Sequence, residues 1–93
     1  MPVQTIERAD VDTGTGVGHP WSVVIYNDDW HSFDDVVRQV QRATGCALER
    51  AEQITYEAHT RGRAIAYCGD KEKCQEVASV LREIRLQVEI DDD

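Results

Sequence analysis

Trp21-Ser22-Val23-Val24-Ile25-Tyr26, followed at once by Asn27-Asp28-Asp29, is the stretch from which the fold of this chain can be worked out. Its first six residues are rich in β-branched and aromatic side chains, which suit a pleated, half-buried strand; the amide and two acids after them are turn formers. Ser32 then stands where a helix N-cap belongs. Asp34 and Asp35 follow it, placed to satisfy the free N–H groups and the dipole of a first helical turn. Phe33, Val36, Val37, Val40 and Ala43 recur at helical spacing and form one apolar stripe that ends near Gly45. The stretch therefore reads as strand, turn and amphipathic helix.

Further along, a second helix is predicted from about Leu48 to Thr60, with Leu48, Ala51, Ile54, Thr55 and Ala58 on one face and Gly62 as its C-terminal cap. Arg63 to Cys68 is short and alternating, as a second strand would be. Asp70 can cap a third helix, along which Cys74, Val77, Ala78, Leu81 and Ile84 share a face. Leu86, Val88 and Ile90 alternate with Gln87 and Glu89, the pattern of a strand buried on one side. The order is β-α-α-β-α-β over residues 21–90. The expected class is α+β: a small three-stranded antiparallel sheet with three helices packed on one face to bury their stripes. A domain of this size buries only about 60% of its unfolded surface, so modest stability is expected.

Composition narrows the function. Residues 1–20 alternate Gly14, Gly16 and Gly18 before Pro20 and read as a flexible extension, because ordering them costs more entropy than their few apolar groups return. The formal net charge is −8, yet residues 36–90 carry nine bases against eight acids. The acidity sits in the extension, in an acidic tail over residues 91–93, and in Asp28, Asp29, Asp34 and Asp35. With a mean hydropathy of −0.51 and aliphatic runs no longer than three residues, no membrane span is expected. No secretory signal is visible either, which points to the cytoplasm. A pI near 4.7 argues against a nucleic-acid phosphate binder. Cys46, Cys68 and Cys74 form no CxxC and read as reduced, half-buried thiols; His19, His31 and His59 are too scattered for zinc. The carboxylate spacing matches no EF-hand loop, and neither a GxSxG nor a phosphate-cradling glycine loop occurs. Neither an enzyme nor a cofactor nor a metal is expected.

The chemistry concentrates where the first strand meets the first helix. Read alone, Asn27-Asp28-Asp29 is an ordinary turn, His59 a core-edge residue, and His31 a side chain in solvent. Together, Val23-Val24-Ile25-Tyr26-Asn27-Asp28-Asp29 and, about thirty residues on, Ala58-His59-Thr60-Arg61-Gly62-Arg63-Ala64 resemble the ClpS adaptor family over residues 20–90. Members of that family recognise destabilising N-terminal residues and hand the substrate to a Clp-family AAA+ unfoldase. The resemblance implies that Asn27, Asp28 and His59 grip the free α-amine of a substrate. It also implies a hydrophobic pocket walled by Ile25, Phe33, Val36, Thr55, Ala58 and Leu86, which takes a first residue such as Phe, Tyr, Trp or Leu. Trp30 would touch the N-terminal domain of a ClpA-like or ClpC-like unfoldase, and the adaptor would act as a monomer. Residues 1–20 would either act in delivery, as the family's extensions do, or serve as a spacer.

The chain departs from the family's commoner pattern in places. Methionine is frequent where Phe33 stands, and methionine and valine where Thr55 and Ala58 stand; the threonine and proline before that first position are His31 and Ser32 here, with His31 expected either to touch the substrate backbone or, the favoured reading, to sit in solvent. Relatives often carry lysine where Glu76 falls and an acid near Lys71. A different class shares the element order, a protein–protein interaction module like the C-terminal domain of the ribosomal stalk protein. Such a module has no need for Asn27 and Asp28 to face His59, and a separation beyond about 10 Å would favour it.

Overall fold

Central position in the sheet explains why Val23 and Ile25 are fully buried. The computed structural model describes residues 20–91, and in it β1 (Trp21–Tyr26) pairs antiparallel with β2 (Arg63–Gly69) on one side and β3 (Val88–Asp91) on the other, in the order β2-β1-β3. The expected extension and acidic tail lie outside the described residues, except for Pro20 and for Asp91, which pairs with Ser22 as the last residue of β3. Helices α1 (Phe33–Thr44), α2 (Leu48–Arg61) and α3 (Lys71–Arg82) complete the β-α-α-β-α-β order. Along β2 the small Ala64 and Ala66 turn inward to the core, while Arg63 and Ile65 face water. Ile54 of α2, Val40 of α1 and Val77 and Leu81 of α3 close over them.

The helix ends form where the local chemistry allows. The Ser32 hydroxyl accepts from Asp35 N–H at 3.1 Å and the Asp70 carboxylate from Lys73 N–H at 2.8 Å, so α1 and α3 have side-chain caps. Gly45 and Gly62 end α1 and α2 in the left-handed region, at φ 75° and 94°, where a Cβ would be strained.

Several expectations require correction. Leu48 begins α2 but is exposed, since its turn lies beyond the edge of the core. Ile84 is not on the third helix and Leu86 is not in the last strand. After Arg82 the backbone tightens, with Glu83 N–H bonded to Val80 O and Arg85 N–H to Arg82 O, and Arg85 takes a positive φ of 64°. The reversal breaks the helical stripe yet returns Leu86 to the interior. Of the thiols only Cys46 is half-buried; Cys68 is exposed, Cys74 is buried, and all three are free. Among the described residues no helix is long and apolar enough to cross a membrane.

Candidate functional site

Both edges of β1 are stitched to other segments where the strand ends. Tyr26 N–H donates to the Gln87 carbonyl at 3.1 Å, and Asn27 N–H donates to the Gly62 carbonyl at 2.9 Å. Gly62 is the left-handed cap of α2 and follows His59 by three residues. One backbone bond thus brings the end of α2 beside the start of the Asn27 loop, although the two are far apart in sequence. The loop closes on itself: one Asp28 oxygen, Oδ1, accepts from Trp30 N–H at 3.1 Å and His31 N–H at 2.9 Å. Such Asx turns are the usual reason for aspartate at a strand-to-helix junction.

Between this loop, α1 and α2 lies a cavity of about 260 Å³. All three residues matched to amine binding (Asn27, Asp28 and His59) line it, as do all six matched to the hydrophobic pocket: Ile25, Phe33, Val36, Thr55, Ala58 and Leu86. Asn27 and His59 are exposed and Asp28 is half-buried, so the polar groups form a rim; Ile25, Val36, Ala58 and Leu86 are buried and form an apolar floor. Phe33 is exposed at the first turn of α1, on the rim. Its volume falls below the roughly 300–1,000 Å³ of sites for drug-sized ligands and suits a single side chain. The Thr55 hydroxyl, which the sequence adds to the wall, donates to its own helix at Ala51 O (2.8 Å) and leaves no free donor to the cavity.

His31 is the residue that sequence reasoning misplaced. Its side chain is only 9% exposed, wedged between Asp28 and the connection from α3 to β3. Nδ1 lies 2.5 Å from Asp28 Oδ2, and Nε2 lies 2.5 Å from the Ile84 carbonyl oxygen. Both neighbours are acceptors, so both ring nitrogens donate only in the imidazolium form. Burial opposes charge on His31, but its bonds to Asp28 and Ile84 prevail and its pKa is raised. Burial likewise opposes ionisation of Asp28, yet the bonds from His31 and Trp30 outweigh it and its pKa is lowered. Each shift favours the ionised form of its group. The spacing Asp28-x-x-His31 across a turn was the available clue, because an Asx turn brings residues i and i+3 together.

Trp30 does not line the cavity. It is 67% exposed, with its ring stacked at 4.3 Å on His31. Lys71 lies 5.2 Å over the Trp21 ring, and Lys73 pairs with Glu76 at 3.6 Å on the exposed face of α3. Among the described residues no three His, Cys, Asp or Glu side chains converge as a metal-ion site.

The fold and cavity define a class: a small α+β domain holding a side-chain-sized apolar pocket with an amide, a carboxylate and an imidazole on its rim. Residues 18–89 match the family model of the ATP-dependent Clp protease adaptor protein ClpS, and the chain belongs to that family. Among curated relatives, a Corynebacterium efficiens ClpS is 27% identical over 66 residues, covering 71% of this chain and 65% of that protein. A Xanthomonas campestris pv. campestris ClpS is 41% identical over 49 residues, covering 53% of this chain and 44% of that protein. The E3 ubiquitin-protein ligase UBR1 of Drosophila melanogaster is 29% identical over 68 residues, covering 73% of this chain; the chain spans only 4% of that ligase's length. A structure of Agrobacterium tumefaciens ClpS2 bound to L-phenylalaninamide superposes with a TM-score of 0.76 at 13% identity, over 83% of this chain and 100% of that one; it shares the fold.

Proposed function

We propose that this chain is a non-enzymatic adaptor that binds proteins through a free, bulky hydrophobic N-terminal residue (Phe, Tyr, Trp or Leu) and delivers them to a Clp AAA+ unfoldase in the cytoplasm. The observation that carries this reading is a single cavity with three polar groups on its rim and an apolar floor. An α-ammonium presents up to three N–H donors and a charge, so it needs acceptors from several directions. The Asn27 amide oxygen, the Asp28 carboxylate and an unprotonated nitrogen of His59 are such acceptors, directly or through water. A carboxylate has about four acceptor positions. Three are taken at Asp28 by Trp30, His31 N–H and the His31 ring, which leaves one on Oδ2 for a ligand.

An acetylated terminus lacks both the charge and the donors, and its entry would leave acceptors unpaired at about 1–3 kcal/mol each. The ClpS2 ligand, L-phenylalaninamide, combines a free α-amine with a benzyl side chain, the chemistry this cavity suits. Exposed Trp30 is the proposed contact to the N-terminal domain of the unfoldase. The stalk-like alternative makes no use of the shared cavity.

Titration with a peptide beginning in Phe and with its N-acetylated form tests the reading. Micromolar or tighter binding of the first and at least tenfold weaker binding of the second is expected, from the loss of about 1.4 kcal/mol or more. Equal binding would overturn amine recognition.

A further inference from the structure

The His31 ring has no role in the amine-binding reading, yet it is the most buried ionisable side chain on the cavity's loop for which burial pulls against charge. It also joins two parts of the chain, the Asp28 turn and Ile84 in the connection that follows α3. We propose that His31 is a positioning residue of the site: its ring donates from Nδ1 to Asp28 and from Nε2 to the Ile84 carbonyl, and so sets the orientation in which the carboxylate faces the cavity. The inference rests on the amine-binding role of Asp28 proposed above.

The two backbone bonds to Asp28 both fall on Oδ1, so they hold one oxygen and leave the carboxylate free to swing about it. The ring bond is the one that holds Oδ2, the oxygen with a lone pair to spare. The other end of the ring is anchored at Ile84, two residues before Leu86 of the cavity floor, so rim and floor are set by one side chain. Trp30 lies against the ring and limits its rotation.

The groups facing His31 are compatible with a cation. Asp28 lies on its own loop, and Asp35 of α1 also favours the charge. From the α3–β3 connection it meets the Ile84 carbonyl. Arg38 and Arg42 of α1 share the shallow groove on its outer side, but Arg38 is paired with Asp35 at 3.1 Å and Arg42 with Glu83 at 3.8 Å. Tyr26, Asp29 and His59 are the other titratable groups on the cavity wall, and the Tyr26 hydroxyl is engaged by Glu89 at 2.6 Å.

Ring ¹⁵N NMR of the full chain, without ligand, reads the arrangement directly. The His31 ring is expected to keep both nitrogens protonated to a higher pH than an ordinary imidazole, which is half neutral near pH 6.5. In Asp28→Asn the same ring should titrate closer to the ordinary range. In parallel, His31→Ala should bind the Phe-initiated peptide about tenfold more weakly than the parent, the scale of one charge-assisted hydrogen bond. A His31 ring in the parent that titrates at or below the ordinary imidazole range, or His31→Ala binding within about twofold of the parent, overturns the positioning role and leaves amine recognition standing. A parent that binds free and acetylated peptides alike overturns amine recognition itself, whatever the ring shows. If His31→Ala does not fold, the parent and Asp28→Asn titrations still decide.

Discussion

Asp28 and His31 make opposite demands on pH, and their signs can be worked out separately. Asp28 has a lowered folded pKa, so its contribution to stability is present above the ordinary carboxylate value of about 3.9 and is lost as pH falls through the lower folded value. His31 has a raised folded pKa, so its contribution is complete below about 6.5 and is lost as pH rises through the higher folded value. Scanning calorimetry should therefore show the gap in Tm between parent and His31→Ala at its widest from about pH 4 to 6.5, narrowing on both sides. A gap independent of pH would mean that the ring contributes packing alone. The proposed specificity can be tested at single residues as well. Ala58 is buried in the cavity floor, and Ala58→Val adds two methyl groups to a space of about 260 Å³. Overpacking of this kind costs about 1–3 kcal/mol, so Trp-initiated peptides should lose about tenfold in affinity while Leu-initiated ones change less. Competition binding with the two peptides measures it.

At the scale of elements, the helix ends bring the site together. Gly62 terminates α2 with φ 94° and offers its carbonyl to Asn27 N–H, so one residue both ends the helix that carries His59 and places Asn27 beside it. An added Cβ would meet no atom within 4 Å, so the cost of Gly62→Ala is backbone strain and not a clash. Urea unfolding should show a loss of about 1–2 kcal/mol, and peptide affinity should fall with it because the rim is displaced. Ser32→Ala removes the α1 cap and should cost about 1 kcal/mol in the same measurement. These ends were legible in the sequence because caps are local: Ser32, Asp70, Gly45 and Gly62 each act within three or four residues. The end of α3 was not. Ile84 continues the helical spacing of Leu81, and nothing local distinguishes it from one more turn; the reversal at Arg85 returns Leu86 to the interior and Val88 to the sheet.

Over the whole molecule, one core serves both stability and the site. Val23 and Ile25 lie on the central strand; Val23 is core alone, whereas Ile25 is also cavity floor. Stability should thus be separable from binding. Leu81 is fully buried and does not line the cavity, so Leu81→Ala should cost about 2–5 kcal/mol in chemical unfolding and leave peptide affinity of the folded fraction close to the parent's. The formal charge of −8 does not describe the site, since residues 36–90 are almost neutral. At the rim the acid proposed to meet the substrate amine is Asp28, and His31 lies beside it at 2.5 Å.

The order of elements, their caps and most of the apolar stripes were determined by the sequence itself, through side-chain period and turn chemistry, whereas the candidate rim and floor residues came from the resemblance of the Asn27-Asp28 turn and the His59–Gly62 motif to the ClpS family. Each of these depends on neighbours within a turn or two, or on a motif visible along the chain. Tertiary structure alone decided which of those residues share a cavity and how large it is, that the Thr55 hydroxyl is spent within its helix, and that His31 is locked in place instead of solvated. The reason is the Ile84 carbonyl: it lies 53 residues from His31 in sequence and becomes a hydrogen-bond partner only when the end of α3 folds back against the loop. No periodicity or local propensity encodes a contact at that distance; it follows from packing three helices on one small sheet.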